Sequence, residues 1–146
     1  MRPTPTWLEP WQILAGPHPS SRQAQQLAED GITLFLDLTE PGEEDPYSHT
    51  VERHVRVPIE DHTAPDDGAV IAGALDLIDA ELEVQGSVYV HCWWGCGRTG
   101  LVLGCWLRRR GHGPEEALAR IAALRGPGCP EMLAQVEAVR AWTLGR

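Results

Sequence analysis

The sequence predicts an α/β fold: a single domain in which a central, mostly parallel β-sheet is flanked by helices. Short apolar segments alternate along the chain with segments that carry apolar residues at helical spacing. This alternation is typical of parallel sheets, because a crossover helix returns the chain to the end of the sheet where the next strand begins. The length of 146 residues suits one domain with one core. A functional site is then expected at the carboxyl ends of the strands.

Four segments have the hydrophobicity of strands buried in such a sheet. Residues 32–38 are apolar, partly β-branched and too short for a helix, which predicts a strand buried on both faces. Residues 51–59 contain valines at an imperfect period of two. In chain order, the predicted strands cover residues 11–15, 32–38, 51–59 and 87–91.

Five segments carry the signals of helices. Ser20 or Ser21 can cap the first, and Gly31 stands where a left-handed residue would end it. The second has apolar residues at spacings of four, three and four along one face, and a proline suits the first turn of the fourth. After the first, the predicted helices cover residues 69–83, 100–109, 114–124 and 131–142. The acidic stretch 39–48, with its prolines and glycine, is predicted to be a solvated loop.

The composition excludes two classes of partner. The chain has 21 acidic residues against 12 basic ones, all of them Arg, and a net charge of -9. A nucleic-acid partner is not expected, since neutralising a phosphate backbone requires a basic face. A membrane partner is not expected either, because no apolar run approaches the ~18 residues of a spanning helix. The first ten residues lack the pattern of a signal or transit peptide, so we expect a cytoplasmic protein.

The four cysteines are expected to be reduced thiols. Cys92, Cys96 and Cys105 lie close together in the sequence, Cys129 lies further on, and no export signal accompanies them. A zinc site built from His91 and the first three cysteines would lack the paired spacing of structural zinc sites. The sequence therefore predicts neither a metal nor another cofactor.

The segment 88–100 carries the chemistry. It leads from a predicted strand through a tight glycine-rich loop into a predicted helix, and it contains His91, Cys92, Arg98 and Thr99. Chance would produce this combination of residues in a chain of this composition with a frequency of roughly 1 in 10,000. Successive backbone N–H groups at the start of a helix form a concave anion site. The expected ligand is phosphate or a similar oxyanion.

Two side chains of this segment have the chemistry of an anion-binding nucleophilic site. The planar guanidinium of Arg98 can bind two oxygens of a phosphate-like dianion. The positive charge of Arg98 and the N–H groups at the start of the helix favour the thiolate form of Cys92. This makes Cys92 a nucleophile at neutral pH. The loop residues expected to form the substrate-binding cradle with Arg98 are Trp93, Trp94, Gly95, Cys96 and Gly97. At most one of the two tryptophans should line the site, with the other in the core, and Cys96 should turn its side chain away.

The motif resembles the signature His-Cys-x5-Arg-Ser/Thr of the cysteine-dependent protein tyrosine phosphatase superfamily, most closely its small dual-specificity-like members. Residues 14–19, 37–40 and 58–61 resemble further segments of that family in the same order. The resemblance implies a dual-specificity-phosphatase-like fold over residues 1–146. It also implies hydrolysis of phosphomonoesters through a phosphocysteine intermediate, without a cofactor.

The resemblance assigns a role to each residue of the motif. Cys92 would attack phosphorus while Arg98 binds the phosphoryl oxygens. Thr99 would donate a hydroxyl hydrogen bond that stabilises the departing thiolate. His91 would orient the loop from the strand side and tune the thiolate. These roles define the expected catalytic set together with a proton donor.

The proton donor is expected in the loop that precedes the second long helix. The resemblance of the Pro-Ile-x-Asp pattern to the family places Asp61 as the general acid, with Asp66 as the alternative. Gln135 resembles a glutamine of related small phosphatases that helps to position the hydrolytic water.

Three functions remain open on these residues. The expected substrate is a phosphorylated protein, with phosphotyrosine ahead of phosphoserine and phosphothreonine. Phosphoinositide-directed relatives carry lysines within the loop, and this chain has none. The alternatives are a catalytically silent phosphate-binding module and a sulfurtransferase or arsenate reductase that uses the same cradled thiolate.

Overall fold

A five-stranded sheet forms the centre of the computed structural model, which describes residues 2–143. The strands are β1 (Thr6–Glu9), β2 (Ile13–Gly16), β3 (Leu34–Asp37), β4 (His54–Arg56) and β5 (Val88–His91). The helices are α1 (Ser21–Glu29), α2 (Gly68–Glu83), α3 (Gly97–Arg109), α4 (Pro114–Arg125) and α5 (Leu133–Ala141). A short 3-10 helix spans Ser48–Thr50. Over the described part of the chain, no helix combines the length and hydrophobicity needed to cross a membrane.

The strands are ordered β1-β2-β5-β3-β4 in the sheet. The pairs β2–β5, β5–β3 and β3–β4 are parallel, and only the edge strand β1 is antiparallel. The predicted α/β fold with a mostly parallel sheet is therefore confirmed. β1 was not predicted from the sequence, because its four residues lie among prolines and are too few to show a hydrophobic period.

Both faces of the sheet are covered, as the continuous hydrophobicity of its strands predicted. Val88 and Val90 of β5 belong to the large core cluster, which includes residues of α2, α3, α4 and α5. Tyr89, between them, belongs to a smaller cluster on the opposite face with Phe35 and Tyr47. Successive side chains of a strand point to opposite faces, so one central strand supports both layers.

Two predicted elements differ from the structure by three residues or more at one end, and one predicted loop differs in its exposure. The strand expected over 51–59 contains only three residues, although the N–H groups of Val57 and Ile59 still donate to the carbonyls of Asp37 and Leu38. The helix expected at residue 100 begins at Gly97, within the glycine-rich segment. The loop 39–48 is not fully solvated, since Tyr47 is 1% exposed and packs among aromatic rings. Local sequence cannot reveal such a contact, because the partners lie far away along the chain.

The carboxyl ends of β3 and β5 meet at one edge of the sheet. Asp37 at the end of β3 pairs in register with His91 at the end of β5. The chain then runs through Cys92 and a short loop into α3. The topology thus brings these segments together at the carboxyl ends of the strands, where the sequence analysis expects the functional site.

Two glycine substitutions in helices should change stability in opposite directions. Gly104 of α3 is buried, and a Cβ there would lie 2.7 Å from Val139 Cγ2 in α5. Gly104→Ala should lower the free energy of unfolding, because an overpacking cost of about 1–3 kcal/mol exceeds a helical gain of about 0.5–1 kcal/mol. Gly73 of α2 is exposed, and a Cβ added there would meet no atom within 4 Å. Gly73→Ala should therefore raise the free energy of unfolding by about 0.5–1 kcal/mol. Urea unfolding measures both, and equal shifts in the two variants would contradict the packing described between α3 and α5.

Candidate active site

The sulfur of Cys92 accepts two hydrogen bonds within its loop. The Gly95 N–H lies 3.3 Å and the Thr99 hydroxyl 3.1 Å from Sγ, and the cysteine is 3% exposed. Donors aimed at a sulfur stabilise its anion. Gly95 has a φ of +84°, and a Cβ there would lie 2.6 Å from the carbonyl of Gly16, so only glycine fits this turn.

The guanidinium of Arg98 is buried and is held through its two Nη atoms. Nη1 and Nη2 donate to the two carboxylate oxygens of Glu43 at 2.8 and 2.6 Å, and Nη1 also donates to the Ile59 carbonyl. Nε is buried and has no hydrogen-bond partner among residues 2–143. A buried unpaired donor on a fixed guanidinium is suited to an oxyanion.

Glu43 was not predicted as a site residue. It lies in the acidic stretch expected to be solvated, where four carboxylates offer no signal that one of them pairs with Arg98. The hydrogen bonds from Arg98 hold the pKa of Glu43 below its usual value. Glu43 therefore remains a carboxylate at neutral pH and orients the guanidinium.

One cavity of about 400 Å³ brings most of the predicted residues together. Its lining residues are Asp61, His62, Cys92, Trp93, Trp94, Gly97, Arg98 and Glu131. Cys96 does not line it. The cavity thus combines a nucleophilic sulfur, a cation and two carboxylates, a set that can bind an oxyanion and transfer a proton.

Both tryptophans line the cavity, so the expectation that one belongs to the core is wrong. Trp93 and Trp94 are 41% and 40% exposed, and their rings stack at 5.2 Å with an interplanar angle of 22°. The guanidinium of Arg2 lies 4.5 Å from the Trp93 ring centre. The two rings cover each other and Arg2 covers one of them, which shields apolar surface without placing either ring in the core.

The geometry favours Asp61 over Asp66 as the carboxylate of the site. Asp61 Oδ1 lies 3.3 Å from Arg98 Nη2, in the cavity that contains Cys92. Asp66 lines a different cavity, together with Cys105 and other residues. The role of Asp61 as a general acid stays a prediction.

Two further rim residues were not predicted. His62 lies 3.7 Å from an Asp61 oxygen and 3.8 Å from a Glu131 oxygen. The ligand atoms of these three side chains lie within 4.8 Å of one another, which is close enough for them to hold a divalent cation together. All three side chains are exposed at the opening of the cavity.

His91 is fully buried behind the loop. Its Nδ1 lies 3.1 Å from the Cys92 carbonyl oxygen, and its Nε2 lies 2.5 Å from the Tyr47 hydroxyl. Burial lowers the pKa of His91 to about 4. The imidazole is therefore neutral at pH 7, and it contacts the backbone of the loop and not the sulfur.

Gln135 is buried beside the loop. Its amide group donates to the Thr63 carbonyl and accepts from the Met132 N–H, both at 3.2 Å, and it lies against Gly97. It does not line the cavity of Cys92. Its role in positioning water stays a prediction.

The expectation that all four cysteines are reduced thiols is wrong. Cys96 and Cys129 form a disulfide with their Cα atoms 5.0 Å apart, whereas Cys92 and Cys105 are free and buried. The two partners are 33 residues apart in sequence and meet because the chain returns after α4 to the start of α3, which local spacing cannot show. The bond leaves Cys96 without a free thiol that could form a disulfide with an oxidised Cys92. Reduced cysteines therefore no longer support the expected cytoplasmic location, because disulfides are rare in cytosolic proteins. That location stays a prediction.

Cys105 differs from Cys92 in its surroundings. It is fully buried in α3, and burial raises the pKa of its thiol to about 12. A thiol of this kind is unreactive at neutral pH. Cys105 therefore provides a matched control for experiments on Cys92.

A sulfur and a guanidinium held in a strand–loop–helix segment of a parallel sheet define the class of cysteine-dependent phosphatases of the protein tyrosine phosphatase type. The family described as "Polymorphic toxin system, DSP-PTPase phosphatase" matches residues 11–112. The chain belongs to this family. The family resemblance inferred from the loop motif is thus confirmed.

Individual relatives agree with this assignment. A protein named as a tyrosine phosphatase, 067L of Invertebrate iridescent virus 3, is 33% identical over 101 residues, which cover 66% of this chain and 42% of the relative. The chain thus spans less than half the length of that relative. The crystal structure of Tk-PTP in its active form has a TM-score of 0.87 at 26% identity and covers 100% of this chain and 99% of that one. PTPMT1, with a TM-score of 0.80 at 17% identity over 95% and 93% of the chains, shares the fold.

The disulfide predicts a thiol count and a response to reductant. Titration of the unreduced chain in denaturant should detect two thiols, those of Cys92 and Cys105. Reductant should lower the free energy of unfolding by about 2–4 kcal/mol, since the unfolded chain has more conformational entropy without the cross-link. Cys129→Ser should start at the lower stability and respond no further to reductant. Four titratable thiols in the wild-type chain would show that the bond does not form.

Proposed function

We propose that the chain hydrolyses phosphomonoesters through a phosphocysteine intermediate, without a metal ion, and that its substrate is protein phosphotyrosine. One observation carries the proposal: Cys92, Arg98 and Asp61 line the same cavity, and the buried Nε of Arg98 has no hydrogen-bond partner among the described residues. A nucleophile, an oxyanion-binding cation and a proton donor are the groups that phosphoryl transfer requires.

In the first step, the Cys92 thiolate attacks phosphorus and the sulfur–phosphorus bond forms as the ester P–O bond breaks. The loop N–H groups and the free Nε–H of Arg98 bind the phosphoryl oxygens, while Glu43 keeps the other edge of the guanidinium in place. Asp61 gives its proton to the departing oxygen, so the alcohol or phenol leaves neutral.

In the second step, water attacks phosphorus and the phosphorus–sulfur bond breaks. Asp61, now a carboxylate, takes the proton from that water. The Thr99 hydroxyl and the Gly95 N–H, which lie 3.1 and 3.3 Å from Sγ, stabilise the thiolate as it departs. The products are inorganic phosphate and the free enzyme.

The rim of the cavity supports an aryl phosphate on a protein. Trp93 and Trp94 are 41% and 40% exposed and line the cavity as an aromatic wall that a phenyl group can contact. Glu131 adds negative charge at the opening, in a chain with a net charge of -9. A substrate with several phosphates, such as a phosphoinositide, would be repelled there.

The fold alone does not select the substrate. Solved structures of this fold include P. aeruginosa TpbA in complex with pTyr and PTPMT1 in complex with PI(5)P, each 18% identical to this chain. The choice of phosphotyrosine therefore rests on the tryptophan wall and the acidic rim of this chain. Phosphoinositides are the second class that a substrate panel must contain.

Replacement of the nucleophile tests the covalent mechanism. Cys92→Ser should abolish turnover of phosphotyrosine peptides and retain binding of inorganic phosphate, because the loop N–H groups and Arg98 remain. Cys105→Ala, which replaces the other free cysteine, should keep wild-type turnover. Residual turnover by Cys92→Ser near the wild-type rate would exclude the phosphocysteine intermediate.

A substrate panel with the wild-type chain, in the presence of a chelator, tests the rest of the proposal. Phosphotyrosine peptides should be turned over faster than phosphoserine peptides or a short-chain phosphoinositide. Faster turnover of the phosphoinositide would overturn the substrate class, and loss of activity on chelation with recovery on adding metal would overturn the metal-independent mechanism.

Variation of the leaving group tests the general acid. A proton donor matters most when the departing oxygen is strongly basic, so Asp61→Asn should slow alkyl and phenyl phosphates by about 10²–10⁴-fold and nitrophenyl phosphate much less. Asp66→Asn is the matched control and should behave like the wild type with both kinds of substrate. If Asp66→Asn instead produces the leaving-group dependence, the acid is five residues further along the loop.

A further inference from the structure

Arg2 contacts a wall of the catalytic cavity but has no part in the chemistry proposed above. Its guanidinium carbon lies 4.5 Å from the ring centre of Trp93, which lines the cavity together with Cys92. Nη2 of Arg2 donates to a carboxylate oxygen of Glu44 at 2.6 Å, and Nη1 donates to the His18 carbonyl at 3.3 Å. Arg2 thus connects the loop after β2, the acidic loop after β3 and the catalytic loop.

Arg2, His18 and Trp93 form a closed set of contacts. The His18 N–H donates to the carbonyl oxygen of Trp93 at 3.1 Å, so the backbone of this tryptophan is held from the segment after β2. Arg2 donates to the carbonyl of the same histidine and lies over the ring of the same tryptophan. The main chain and the side chain of Trp93 are therefore anchored separately.

The contacts of Arg2 require a planar guanidinium. Such a group directs its N–H donors within its plane and presents its flat face to an aromatic ring, so it can bind a carboxylate and a ring at the same time. The carboxylate is supplied by Glu44, whose side chain is 18% exposed. The preceding residue, Glu43, binds Arg98. Two consecutive acids thus hold one arginine in the anion site and another over Trp93.

The support matters because Trp93 is a half-exposed side chain. Its ring is 41% exposed, and the ring of Trp94 that stacks on it is 40% exposed. An exposed side chain without lateral contacts samples several rotamers, and a ligand that contacts it must then order the ring, which weakens binding. A ring that is already held in place avoids this loss.

We propose that Arg2 is a specificity-determining residue for aryl phosphates: anchored by Glu44, it holds Trp93 at the cavity wall, where the ring contacts the aryl group. The proposal rests on the proposed function for its catalytic consequence, whereas the effect on binding of an aromatic anion follows from the contacts alone. Arg98 and the loop N–H groups bind the phosphoryl group of any substrate. The preference for an aryl over an alkyl substituent therefore depends on the wall and not on the anion site.

Binding of phenylphosphonate and methylphosphonate, titrated by ³¹P NMR, tests the role of Arg2 without turnover. The two compounds share the phosphonate group and differ in the aryl ring, so the ratio of their Kd values measures the aryl preference. The wild type should bind phenylphosphonate more tightly. Arg2→Ala should lower the aryl preference about two- to five-fold, as for the loss of one exposed cation–π contact. The KM for an aryl phosphate should rise by the same factor at unchanged kcat.

The matched control is Arg22→Ala, which removes the same charge from an exposed position of α1. It should leave the Kd of both phosphonates unchanged. A loss of charge alone would weaken both compounds equally, because both are anions. Equal weakening by Arg2→Ala, or an unchanged ratio of Kd values, would overturn the proposal.

A double-mutant cycle tests whether Arg2 acts through the ring. In the Trp93→Ala background, Arg2→Ala should cause no further loss of aryl preference. An equal loss in both backgrounds would show that Arg2 acts on the ligand by another route and would overturn the proposal.

The experiment remains decisive in two adverse cases. If Arg2→Ala does not fold, Glu44→Ala removes the anchor of Arg2 and should lower the aryl preference in the same direction, and an unchanged preference would overturn the proposal. If the wild-type chain hydrolyses no phosphate ester, the proposed function fails, and phosphonate binding still tests the role of Arg2. A wild-type chain without aryl preference would overturn the role of Arg2 whether or not it is a phosphatase.

Discussion

The buried guanidinium of Arg98 is the constraint on which the rest of the site depends. A cation that is 1% exposed requires a partner, because an unpaired charge in the interior is strongly destabilising. Glu43 provides that partner through two hydrogen bonds, and its loop must fold over the sheet edge to do so. The pairing occupies one edge of the guanidinium and leaves Nε–H for an oxyanion. A charge that is costly to bury thereby becomes a fixed element of the anion site.

The same loop supports the catalytic segment at a second point. Glu43 reaches Arg98 at the start of α3, and Tyr47, four residues later, reaches His91 at the end of β5. The Cys96–Cys129 disulfide holds the segment from the side of α4 and α5. Three independent contacts therefore fix a loop whose glycines would otherwise leave it many conformations. Preorganised donors of this kind lower the cost of stabilising charge in a transition state.

Much of the architecture follows from local patterns in the sequence. The apolar run around β3 and the helical spacing of α2 are properties of a few consecutive residues, so the alternation of strands and helices could be predicted with boundaries only a few residues off. The motif around Cys92 and Arg98 could be predicted for the same reason, since a strand, a glycine-rich loop and a helix start are adjacent in sequence. The edge strand β1 and the bounds of the short β4 could not, because their pairing depends on neighbours and not on their own hydrophobicity.

The sequence by itself determined the α/β fold class, the phosphatase-like loop and the candidate residues within it, because each of these depends on residues that are adjacent in the sequence. Only the tertiary structure decided which distant residues meet that loop. It selected Glu43 from four equivalent acids, buried Tyr47 against His91, paired Cys96 with Cys129 and placed both tryptophans at the opening. It also brought Asp61, and not Asp66, into the cavity of Cys92. These contacts join segments up to 55 residues apart, and their energies depend on burial and orientation that appear only when the chain is folded.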